Sequence, residues 1–158
     1  MLANEIRVEI IRPVLKITGL WSDSAEMLVW GTGMVESHYA HLKQVSGPAL
    51  GFWQCEPDTH TFQKKWLQRT DNARLLAFVK SASLMEILPS DDALMWNLRY
   101  AALMCRIRYL NAKPILPFWN DAVGMAEYHS RWYNRGGKAN IENNTAIFKQ
   151  LIDQERGE

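Results

Sequence analysis

A chain of 158 residues with 47% apolar and 22% charged residues can bury a core, which excludes a disordered chain and fits one domain. A formal net charge of +1 leaves no basic or acidic field, so no nucleic-acid partner is expected. Two cysteines, Cys55 and Cys105, are too few for a disulfide framework, and a single bridge between them stays open.

The amino terminus, Met1-Leu2-Ala3-Asn4-Glu5, is amphipathic rather than basic and then apolar, so no signal peptide is read. No apolar run reaches about 18 residues, and no membrane insertion is expected. From about Asn4 to Thr18 a helical period aligns Ile6, Ile10, Val14 and Ile17, with Pro13 expected to kink or divide the segment. A second helix starts near Asp23, where Asp23-Ser24-Ala25-Glu26 has capping-box spacing, and runs to Glu36. Gly47-Pro48 then turns the chain, allowing at most a small hairpin between Lys43 and Phe52. Helices are predicted over Thr59 to Gln68 and Asn72 to Ile87. Ser90 is expected to cap a long helix striped by Leu94, Leu98, Ala101, Cys105 and Tyr109. Phe118 to Asn134 follows, with Phe118, Ala122, Met125, Ala126, His129 and Tyr133 on one face. A last, weak helix from Ile141 to about Glu155 is expected to fray. The fold class expected is all-α, with a vestigial β-hairpin at most.

Chemistry concentrates in three short segments: Glu36-Ser37, then Gly47-Pro48-Ala49-Leu50-Gly51-Phe52-Trp53-Gln54-Cys55-Glu56-Pro57, then Tyr133-Asn134-Arg135-Gly136. A carboxylate at a helix carboxyl terminus among Trp30 and Met34 sits where its charged form is disfavoured, which suits a general acid. Taken alone, Glu36 also reads as a solvated glutamate ending a helix. Glu56 reads equally as a turn residue before the helix from Thr59, and Tyr133-Asn134-Arg135-Gly136 as a helix cap closed by glycine. His38 and His41 lack the partners of a zinc site, so no metal and no cofactor are expected.

Together the three segments resemble the signature of the lytic transglycosylase and goose-type lysozyme group. Gly51-Phe52-Trp53-Gln54 is similar to that group's Gly-Leu-Met-Gln, with two larger apolar residues. The resemblance spans roughly residues 25–138, of which 68–113 match by helical pattern only. It implies a two-lobed lysozyme-like helical fold with an active-site cleft, covering the whole chain as a single catalytic domain. It implies cleavage of the β-1,4 bond between N-acetylmuramic acid and N-acetylglucosamine in a peptidoglycan glycan strand. Glu36 would be the catalytic acid and base. Ser37, Gly51, Trp53, Gln54, Tyr133 and Asn134 would bind substrate, with Gly51 allowing close approach of a sugar and Trp53 a candidate for stacking on one. Glu56, with His60 behind it, keeps the goose-type pattern and would direct a water for hydrolysis with inversion. Without that base, the sugar's own 6-hydroxyl would leave a 1,6-anhydro product. Gly31-Thr32-Gly33 and Gly-Pro-Ala-Leu-Gly are similar to uncharacterised phage proteins. The missing export signal agrees with a phage protein carried in the virion or released through a holin from the host cytoplasm. Chitin is a second glycan that such a groove would accept, and a non-enzymatic virion protein on the same fold is the alternative.

Overall fold

The computed structural model describes residues 2–112, 115–134 and 139–157. Its elements are helical: α1 (Leu2–Ile6), a π-helical turn (Arg7–Ile11), α2 (Arg12–Ile17), α3 (Asp23–Ser37), α4 (Pro57–Leu67), a 3-10 turn (Thr70–Asn72), α5 (Ala73–Ala82), α6 (Ala93–Trp96), α7 (Leu98–Ala112), α8 (Ala122–Trp132) and α9 (Ile141–Arg156). Among the described residues extended pairing is limited to two isolated antiparallel bridges, Lys43 with Leu50 and Leu50 with Cys55. The fold is all-helical, and the expected hairpin shrinks to those bridges.

Helices α3 and α7 form the centre because they are apolar nearly all round. In α3 every residue from Ala25 to Gly33 is buried, and in α7 so are Tyr100 to Cys105, Ile107 and Tyr109. Helix α7 packs against α2, the π turn, α3, α4, α5, α6 and α8, while α9 lies on α3 and α8. The buried apolar side chains form one cluster running from Ile6 to Ile152. No helix among the described residues is long and apolar enough to cross a membrane.

Pro13 does not divide the first segment. It has no N–H, and its ring would clash with the carbonyl four residues back. The chain widens into a π turn just before it, with Arg12 N–H bonding to Arg7 O. The extra residue rotates everything downstream. Ile11 and Leu15 are fully buried, whereas Ile17, on the expected stripe, is 45% exposed.

Other boundaries also move for local reasons. Ser22, not Asp23, caps α3, its hydroxyl accepting from Ala25 N–H at 3.0 Å. Glu26 therefore completes no capping box. Its carboxylate instead accepts from Arg7 Nε at 2.8 Å, Arg12 Nη2 at 2.8 Å and Trp21 Nε1 at 2.7 Å. The helix expected from Ser90 breaks at Asn97, whose side-chain oxygen accepts from Tyr100 N–H and restarts the chain as α7. The helix expected to reach Ile87 stops at Ala82, where Leu84 turns left-handed (φ 56°) and Met85 N–H bonds back to Lys80 O. Helix α8 begins at Ala122 under an Asp121 cap, leaving Phe118 80% exposed rather than on the buried face.

The carboxyl-terminal helix is integral rather than weak. Phe148, Leu151 and Ile152 are buried, and a Cβ on Gly31 would lie 2.0 Å from the Phe148 ring. Gly31 thus lets α9 close on α3. Gly33 does the same for the ring of Tyr39, whose hydroxyl oxygen would be 2.3 Å from such a Cβ.

Candidate active site

Helix α3 ends at Ser37, and the chain reverses through two successive left-handed residues, His38 (φ 52°) and Tyr39 (φ 53°). Burial of the Tyr39 ring against Gly33 drives the reversal, and its hydroxyl donates to Trp30 O at 2.8 Å. The chain then loops out and returns through Gly51 to Glu56, passing within hydrogen-bond reach of the end of α3. Helix α8 closes the third side.

Four specific bonds lock these segments together. Ser37 Oγ donates to Phe52 O at 2.7 Å and accepts from Tyr39 N–H at 3.1 Å. The Tyr133 hydroxyl donates to Trp53 O. His129 Nε2 lies 2.7 Å from Glu36 Oε1. The result is an open depression of about 380 Å³ walled by Glu36, Gln54, Glu56, Arg108, Tyr133 and Asn134, with residues 41–49 forming its outer rim. Glu36 is partly exposed at its wall.

The residues singled out in the sequence sort cleanly by position. Glu36, Gln54, Glu56, Tyr133 and Asn134 all line this depression. Glu56 is the residue preceding α4, but its side chain makes no capping bond, so the turn does not account for it. Gln54 is left-handed (φ 48°), with its amide Nε2 donating to Gly51 O at 2.8 Å. Tyr133 is 5% exposed and burial pushes its phenol well above the ordinary tyrosine range, so it stays a neutral donor.

Four expectations need correction. Ser37 is buried and its hydroxyl is used up in tying α3 to Phe52 and Tyr39, so it fastens the site and does not face it. Trp53 is 1% exposed, with Nε1 donating to Val29 O at 2.9 Å; a ring buried that way stacks on no sugar. Gly51 is buried and left-handed (φ 78°), and a Cβ there would meet Leu94 O at 2.1 Å. The close approach it permits is to α6. His60 is likewise a core residue, bonded to Asp91 at 2.6 Å and to the Tyr100 hydroxyl at 2.7 Å. Burial first, opposed by the Asp91 bond, sets its imidazole below the ordinary histidine range. Cys55 and Cys105 are free, buried thiols, burial pushing Cys55 up to about 12. The part of the expected glycine cap that falls on Arg135 and Gly136 lies outside the described residues.

No family model, curated protein or solved structure matches this chain.

Two residues of the site escaped the sequence reading. His129 is fully buried and stacks on Tyr133 with ring centroids 5.6 Å apart. Its only advance sign was its place on the same helical face as Tyr133, four residues earlier. Arg108 projects from α7, its guanidinium 4.7 Å over the Tyr133 ring, and bonds to Tyr133 O and to Thr59 Oγ1. It also lines a second depression of about 450 Å³ with Phe62 and Trp132, so the two depressions meet at Arg108. Among the described residues no group of three histidines, cysteines or carboxylates is placed to hold a metal.

Proposed function

We propose that this chain is a lysozyme-like muramidase that cleaves the β-1,4 bond between N-acetylmuramic acid and N-acetylglucosamine, with Glu36 as general acid and base. The observation that carries the reading is the convergence of the three signature segments on one depression, where Glu36, Gln54, Tyr133 and Asn134 share a wall. Those segments are far apart in sequence, and a depression assembled from all three is what a resemblance of function, rather than of isolated tripeptides, requires. The wall offers a carboxyl group for proton transfer and amide groups suited to N-acetyl recognition. The second depression, with its exposed Phe62, lengthens the surface in the way a polymeric glycan would use.

In this reading Glu36 gives its proton to the O4 of N-acetylglucosamine as the C1–O4 bond breaks. Water adds to C1 of the muramic sugar, and Glu56, also on the wall, takes the proton that the water loses. The substrate strand belongs to a bacterial wall, and a phage protein reaching it from the virion or through a holin fits the chain's signature.

The test is digestion of purified peptidoglycan sacculi followed by mass spectrometry of the released fragments. Wild-type protein should release reducing muropeptides, and Glu36→Gln should lower the rate by roughly two to four orders of magnitude with an unchanged thermal melt. Anhydro-muropeptides as the main product would remove Glu56 from the mechanism. Equal rates for Glu36→Gln and wild type, or no release by either, would remove the muramidase assignment.

A further inference from the structure

Among the described residues the strong partner of Glu36 is His129 Nε2 at 2.7 Å, and that histidine is fully buried. Among the described residues, its other ring nitrogen, Nδ1, is buried with no hydrogen-bond partner. A neutral imidazole carries its proton on one nitrogen only. Were it on Nδ1, a buried N–H would have no acceptor, which folded proteins almost never tolerate. On Nε2 it meets the Glu36 carboxylate, and Nδ1 holds only a lone pair. The stacked Tyr133 ring, itself pinned through its hydroxyl to Trp53 O, keeps the imidazole in plane with that bond.

We propose that His129 is the positioning residue of the site, locked as the Nε2–H tautomer, and that it divides the labour between the two oxygens of Glu36. Oε1 is held by His129. Oε2 is the oxygen that carries and delivers the proton. A protonated Glu36 is compatible with this arrangement, because Oε1 then accepts as a carbonyl oxygen while Oε2–H points to the ligand. The inference rests on Glu36 being the acid of the proposed reaction.

The experiment compares two amide variants of equal polarity. In His129→Gln the side-chain amide reaches the place of Nε2 and restores a donor to Oε1. In His129→Asn the amide reaches only the place of Nδ1. Sacculus digestion should leave the Gln variant within about tenfold of wild type, and drop kcat of the Asn variant about a hundredfold with little change in KM, the scale of a misplaced catalytic group. Equal activity of the two variants would overturn the proposal. A second readout needs no activity: nitrogen-15 NMR of the imidazole in the wild-type protein should report Nε2–H, and Glu36→Leu should move the Nε2 resonance far more than the Nδ1 resonance. An Nδ1–H tautomer, or indifference to Glu36→Leu, would also overturn it. If wild type digests nothing while the NMR pattern holds, the muramidase reading fails and the Glu36–His129 pairing stands.

Discussion

Removing the Tyr133 hydroxyl isolates the bond that ties α8 to the Gly51–Gln54 segment. In Tyr133→Phe the ring keeps its place between the Arg108 guanidinium (4.7 Å) and the His129 ring (5.6 Å), so packing changes little. What is lost is the donor to Trp53 O. Trp53 is 1% exposed and Tyr133 5%, so the orphaned carbonyl has poor access to water. Leaving a buried acceptor unsatisfied costs about 1–3 kcal/mol, which for a chain of this size lowers Tm by roughly 2–10 °C. Because burial holds the phenol well above its ordinary range, the hydroxyl is a neutral donor across neutral and mildly alkaline pH, and the loss should be the same throughout. Urea unfolding followed by tryptophan fluorescence measures it directly, with the m-value unchanged. Sacculus digestion by the same variant should slow, because Gln54 hangs on the segment that Trp53 anchors. A stability change under about 0.5 kcal/mol, the range of ordinary surface substitutions, would mean that α8 and the Gly51–Gln54 segment are held by something other than this bond.

Glu26→Gln should cost about 3–5 kcal/mol near neutral pH, because its side chain is 5% exposed and two arginines and Trp21 converge on it. Burial pushes the Glu26 carboxyl up, but the bonds from Arg12, Trp21 and Arg7 outweigh it and leave the group below the usual carboxylate range. Its contribution is therefore complete above the unfolded value and lost as pH falls through the folded one, so urea curves of variant and wild type should converge in acid; a gap that is constant with pH would refute the assignment. Gly31→Ala places a methyl group 2.0 Å from the Phe148 ring and should destabilise by about 1–3 kcal/mol despite alanine's better helix propensity. A melt at or above the wild-type temperature would show that α9 can shift freely on α3.

Segments whose ends carry chemical punctuation were legible in the sequence. Helix α4 opens on Pro57, α9 follows Asn140, and α3 opens after Ser22, close to where the pattern placed them. The π turn was not, because Ile6, Ile10, Val14 and Ile17 satisfy a helical period whether or not one residue bulges out. Nor was the break at Asn97, since an apolar stripe runs straight through it. At the site, Glu36, Gln54, Glu56, Tyr133 and Asn134 were named in advance and share one wall. Trp53 and Ser37 were misplaced because a turn has no periodicity to say which side chain points inward. His129 was overlooked as a site residue for the opposite reason, since a single polar residue within an apolar helical stripe reads as core, and Arg108 because an arginine beside the apolar stripe of α7 reads as a solvated one.

Four residues that carry side chains, His38, Tyr39, Ser46 and Gln54, hold left-handed backbone angles around the depression, φ 52°, 53°, 61° and 48°. Each such angle opposes the residue's own preference by about 1 kcal/mol or more. The segment from residue 38 to 54 is thus a bent spring, fastened by the bonds Ser37 to Phe52 O, Tyr39 to Trp30 O and Tyr133 to Trp53 O. Excised as a peptide, it would relax to another shape. In the intact chain it should be the last part to assemble and the first to let go, with amide exchange faster there than in α3 and α7.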